Sequence, residues 1–85
     1  MKTIYKYELD ITDVQVIRPP AAAHFLEVAF QQDKLFVWAL VNTDYKPHDR
    51  VIKIYGTGNP IESGTGLYIG TVHAPNGLVW HVFEN

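Results

Sequence analysis

Cysteine is absent from the chain, which excludes a disulfide framework, a thiolate metal site and a cysteine nucleophile. Charge is scarce as well. Charged residues make up 19% of the sequence, below the usual quarter or so. Seven lysines and arginines against nine acids leave a net charge of −2. Binding to long nucleic acid depends on a basic surface that releases counterions, so this balance argues against such a partner. A small phosphorylated ligand remains compatible, because a few cations in one pocket suffice for it. No apolar run approaches the ~18 residues of a membrane span. Met1-Lys2-Thr3 leads straight into an alternating pattern, with no apolar leader. A soluble, intracellular protein with no membrane partner is the expectation.

Catalytic signatures are missing too. His24, His48, His73 and His81 are scattered over separate segments, and two histidines flanking one turn (His73 and His81) do not make a zinc site without further ligands. Asp44 and Asp49 beside His48 sit in a polar loop that naturally carries such residues. No Ser–His–Asp order and no paired carboxylates on one strand stand out. The expectation is a binding protein, not an enzyme, with no cofactor and no metal.

What the sequence does have is apolar and aromatic content, 47% and 13% of its 85 residues. That length makes one domain, 1–85. A chain this small buries a modest core, and self-association is a common way to add buried area. A homo-oligomer, dimer or tetramer, is expected.

Helical periodicity is absent and alternation of period two recurs. Thr3, Tyr5, Tyr7 and Leu9 share one face of a first strand. Val14–Ile17 forms a short candidate strand, which Pro19-Pro20 terminates because neither residue has an N–H to give. In His24–Gln31, Leu26, Val28 and Phe30 alternate with Phe25, Glu27 and Ala29. Gln31-Gln32-Asp33-Lys34 reads as a hairpin turn. Leu35–Val41 is apolar on both faces, so it is a central strand or one whose second face a partner subunit covers. In Val51–Tyr55, Ile52 and Ile54 point inward and Val51, Lys53 and Tyr55 outward. Leu67–His73 follows, then Ala74-Pro75-Asn76-Gly77, where Asn-Gly favours a hairpin turn, and Leu78–Phe83 closes the chain. The prediction is an all-β domain of five or six strands, paired antiparallel as a meander, forming a bent sheet, barrel or compact sandwich.

The least ordinary stretch is Arg50 to Gly66, which holds four of the six glycines. A glycine-rich loop leaves its N–H groups unscreened and able to face an anion. Gly56-Thr57-Gly58-Asn59-Pro60 lacks the lysine and helix of a nucleotide-hydrolase loop. A glycine bulge with a wide turn joining two strands is therefore the plainer reading, and a ligand loop the sharper one. Arg50 and Lys53 lie on the strand entering the loop, with Tyr55 beside them; a cation next to an aromatic ring can cradle a nucleobase and its phosphate. Taken singly, each is also consistent with a solvated strand face. Trp38 is a further candidate, because its strand presents two apolar faces.

Three stretches carry a resemblance that spans nearly the whole chain: Met1-Lys2-Thr3-Ile4-Tyr5-Lys6-Tyr7; Trp38-Ala39-Leu40-Val41 with Ile54-Tyr55-Gly56-Thr57-Gly58-x-Pro60-Ile61; and His81-Val82-Phe83-Glu84. Together they resemble a family of small phage-encoded proteins carrying a domain of unknown function. Through that family the chain is similar to phage sponges that evade CBASS-type immunity by sequestering nucleotide signals without cleaving them. The resemblance implies an oligomeric binder of a nucleotide second messenger, a cyclic dinucleotide or short oligonucleotide, in the cytoplasm of the infected bacterial host. The residues themselves supply the candidate ligand-binding set: Trp38, Arg50, Lys53, Tyr55, Gly56, Thr57, Gly58 and Asn59. The alternative is a phage inhibitor that binds a host defence protein through a sheet edge or an apolar patch.

Overall fold

A computed structural model describes residues 1–85. The chain forms β1 (Lys2–Leu9), β2 (Val14–Ile17), β3 (His24–Gln31), β4 (Lys34–Asn42), β5 (Arg50–Gly56), β6 (Leu67–His73) and β7 (Val79–Glu84). They make two antiparallel sheets, one in the order β1-β4-β3 and the other in the order β2-β5-β7-β6. The all-β antiparallel class is as the alternation predicts. Seven strands form, not five or six, because Val14–Ile17 does pair, along the first half of β5.

The order is not that of a meander. Chain neighbours pair only in the β3–β4 and β6–β7 hairpins. The other short connections are corners that carry the chain from one sheet to the other. At the first corner Asp10 and Gln15 exchange two hydrogen bonds, Asp10 N–H to Gln15 Oε1 at 3.0 Å and Gln15 Nε2 to the Asp10 carbonyl at 2.7 Å. These satisfy the local backbone, so it need not form a hairpin ladder. At the second corner Pro19-Pro20 ends β2 as expected. The prolines still join the structure as acceptors and by position: His48 N–H donates to the Pro19 carbonyl, and Pro20 bridges Pro47.

The inner faces of the two sheets meet in one apolar cluster of Leu9, Val28, Leu35, Val37, Ile52, Ile54, Val72 and Val82. Every strand except β2 contributes, so the molecule is a thin sandwich of bent sheets. β4 is the centre of the three-stranded sheet. Leu35, Val37, Ala39 and Val41 are buried, while the second face keeps Leu40 exposed and Phe36 and Trp38 half-buried.

In β3 simple alternation misleads. A bulge between Phe25 and Glu27 inserts Leu26, which puts Phe25 in register with buried Ala39 and leaves Leu26 exposed. Phe25, Val28 and Phe30 are the core-facing set. A second bulge in β6, between Tyr68 and Gly70, lies where that strand meets β3. A Cβ at Gly70 would stand 2.7 Å from Val28 Cγ1, so glycine lets the two sheets close here.

The β3–β4 turn holds Gln32 at φ 52° and Asp33 at φ 67°. Two successive left-handed residues define a type I′ turn, for which Asn-Gly is the preferred pair. Replacing both residues, Gln32→Asn with Asp33→Gly, is expected to relieve roughly 1 kcal/mol of backbone strain. The melting temperature should then rise by about 4–8 °C in a scanning experiment.

Candidate functional site

β5 builds the site by its alternation. Ile52 and Ile54 point into the core, which forces Lys53 and Tyr55 onto the outer face of the four-stranded sheet. The loop after β5 folds back over that face and is tied to it twice. Tyr55 Oη and Thr65 Oγ1 lie 2.9 Å apart, and Lys53 Nζ reaches Glu62 Oε2 at 3.3 Å. The loop tightens by a hydrogen bond from Asn59 N–H to the Gly56 carbonyl. At its far end a side chain on Gly66 would overlap the Glu84 carbonyl oxygen, so only glycine brings the loop back onto β7.

Between this loop and the corner preceding β2 lies a cavity of about 510 Å3. Lys53, Tyr55, Asn59, Pro60, Asp13 and Glu62 contribute to its wall. The polar complement is one ammonium against two carboxylates, so an anionic group entering here must take Lys53 from Glu62. Glu62 is 76% exposed on its side chain, and a pair with one partner in solvent contributes little, about 0–1 kcal/mol. The exchange is cheap.

Beside the cavity the same sheet face carries an aromatic row. Phe83 stands edge-on to both neighbours, 5.8 Å from Tyr55 and 5.4 Å from Tyr68 between ring centroids. Next to it His81 is held by two hydroxyls, Thr57 Oγ1 at 2.8 Å from Nε2 and Thr71 Oγ1 at 2.9 Å from Nδ1. Thr71 Oγ1 in turn lies 2.6 Å from Tyr68 Oη. The register of β5, β7 and β6 puts Tyr55, His81 and Thr71 in one row, which explains how residues distant in sequence meet.

Among the residues singled out from the sequence, the structure brings Lys53, Tyr55 and Asn59 into one cavity wall. Gly56, at the end of β5, and Thr57 and Gly58, in the turn that follows, do not line this cavity; Gly56 and Thr57 face a separate pocket beside Trp80 and Gly77, and the Thr57 hydroxyl meets His81. Arg50 and Trp38 do not join them. Arg50 sits at the opposite end of β5, where its guanidinium binds both carboxylate oxygens of Glu84, donates to the Ala23 carbonyl at 2.9 Å and covers the Phe25 ring. The hydrogen bond to Glu84 raises the Arg50 pKa above its ordinary value, outweighing the opposing effect of burial. Trp38 lies on the outer face of the other sheet, in register with Lys6 and Glu27. Sequence reasoning missed Asp13 and Glu62 as cavity residues and His81 as the centre of the hydroxyl chain. Only strand register and loop fold-back reveal them.

No group of three or more His, Cys, Asp or Glu side chains is placed to hold a metal ion. No helix is long and apolar enough to cross a membrane. Fold and site together define a small two-sheet antiparallel β domain with a loop-roofed cavity on one outer face. The model of a domain of unknown function, DUF7352, matches residues 1–85, and the chain belongs to that family. No curated protein and no solved structure matches the chain.

Proposed function

We propose that this protein is a stoichiometric binder that captures a nucleotide second messenger and holds it uncleaved. The ligand class is a cyclic dinucleotide or short oligonucleotide. The setting is the cytoplasm of a bacterium infected by a phage, where sequestering such a signal blunts the host response. The observation that carries the reading is the convergence of Lys53, Tyr55 and Asn59 on one cavity. Beside it, Phe83 and Tyr68 continue the aromatic surface. In this arrangement Tyr55 offers a ring for a base, Asn59 an amide for its edge and Lys53 a charge for a phosphate. Arg50 and Trp38 drop out of the proposed pocket because Glu84 occupies the first and the second lies on the other sheet.

The test is calorimetric titration with cyclic dinucleotides, cyclic trinucleotides and linear oligoadenylates. Tyr55→Ala is expected to weaken binding by about 5–150-fold, the equivalent of the ~1–3 kcal/mol that one stacked base contributes. Glu62→Gln is expected to act in the opposite sense. It releases Lys53 and removes one of the two carboxylates facing the ligand, so affinity should rise several-fold at low salt, and the gain should shrink as salt screens the site. Binding unchanged in both variants would count against this cavity. A flat titration with every nucleotide would favour the protein-inhibitor alternative.

A further inference from the structure

The outer face of the β1-β4-β3 sheet is the second organised surface of this molecule, and it is independent of the nucleotide cavity. Strand register arranges it in rows. Ile4, Leu40 and His24 form one row, Lys6, Trp38 and Glu27 the next, and Glu8, Phe36 and Ala29 the third. The middle column is apolar from Phe36 to Leu40, between Lys34 and Asn42 at its ends. Ile4 is 56% exposed, Leu40 is 39% exposed, and Leu26 stands exposed at the adjoining bulge. An apolar column of this kind, flanked by polar edges, is the pattern of an interface core with its rim.

The charges identify the occupant. Lys6 and Glu27 stand at opposite edges of the Trp38 row. Lys6 has no carboxylate partner in its own chain: its ammonium donates to Gln31 Oε1 at 3.0 Å and lies 4.4 Å from the Phe36 ring centroid. Glu27 takes part in none of the ion pairs of the chain. In the single chain the Lys6 ammonium is drawn over Phe36 to Gln31 on β3, but by a neutral hydrogen bond alone; returned to its own edge it makes the row read cation, indole, anion, which is complementary to itself under one two-fold operation. A two-fold axis parallel to β4 and passing over Trp38 brings each Lys6 against the partner's Glu27 and stacks the two apolar columns. An axis over Trp38 at right angles to the strands would instead oppose Lys6 to Lys6 and Glu27 to Glu27.

The geometry points to a second copy of this chain as the occupant, in a face-to-face two-fold dimer with Trp38 at its centre. Closed two-fold interfaces use one patch on both subunits, and the aligned stacking of two sheet faces is an established mode of β association. The dimer leaves both nucleotide cavities open, since those lie on the four-stranded sheet.

The test is sedimentation equilibrium of the full chain over a concentration series. The wild type is expected to be dimeric. Trp38→Glu, and independently Leu40→Lys, are expected to give monomers that keep the β-sheet circular dichroism spectrum. Lys6→Glu should weaken the dimer by about tenfold or more, because it sets like charges against each other at both edges. Lys6→Glu combined with Glu27→Lys swaps the pair and should restore dimerisation to within a few-fold of wild type. A wild type that stays monomeric, a dimer indifferent to both Trp38→Glu and Leu40→Lys, or a double variant no tighter than Lys6→Glu alone would each overturn the proposal.

Discussion

Replacing Arg50 with alanine is expected to cost about 3 kcal/mol of folding stability, at the low end of what breaking a buried ion pair costs. The side chains of Arg50 and Glu84 are 17% and 16% exposed, so solvent screens them little. The fork geometry is complete: Nε and Nη2 bind the two carboxylate oxygens, the latter at 2.8 Å, and Nη1 donates to the Ala23 carbonyl. Removing the guanidinium strands a carboxylate and a carbonyl together. It also unpins the sheets, because Glu84 belongs to β7 whereas Ala23 immediately precedes β3 and Phe25 lies near the start of that strand. Arg50→Lys should recover only part of the loss, since a point ammonium cannot satisfy the planar fork. The double replacement Arg50→Met with Glu84→Leu should be less damaging than Arg50→Ala alone, because no buried charge is left unpaired. Urea denaturation of the three variants checks the ordering. Equal loss in all three would contradict this account, because it would mean that the stranded carboxylate adds nothing to the cost.

The second large effect is expected at Ile52. It is fully buried at the centre of the cluster that joins the sheets. Truncation to alanine removes apolar area and leaves a cavity, for which the usual cost is about 2–5 kcal/mol. Val16 supplies the contrast. It sits on β2 beside β5, yet it is 55% exposed, and Val16→Ala should stay within about 0.5 kcal/mol of wild type. Ile52→Ala should also weaken ligand binding at temperatures where the chain remains folded. Lys53 and Tyr55 owe their direction to the inward anchors on either side of them. Denaturant midpoints for both variants test the facing of β5; a larger effect at Val16 would invert it.

The inward faces of β4 and β5 were legible in the sequence because burial imposes strict alternation and nothing interrupts it between Leu35 and Val41 or between Val51 and Tyr55. The facing of β3 was not, since the inserted Leu26 reverses the phase without any glycine or proline to mark it. Strand order was hidden for a different reason. Asp10–Asp13 carries ordinary turn chemistry, and turn residues alone do not say whether the next strand returns to the same sheet or crosses to the other. Arg50 read as a cation free for a ligand, because its partner lies 34 residues away. Lys53 and Tyr55 were legible as an outward pair from alternation alone. The counter-charges Glu62 and Asp13 were not, since both come from loops whose fold-back has no periodic signal.

The measurement that bears most directly on the central claim is recovery of the ligand. Purified protein is incubated with each nucleotide class, separated from free ligand, heated to unfold it, and the released material is identified by chromatography and mass. The expected result is near-stoichiometric retention of one nucleotide class, released chemically unchanged, with retention lost in Tyr55→Ala. Retention of none of them, or release of a cleaved product, would contradict the reading of this chain as a nucleotide sponge.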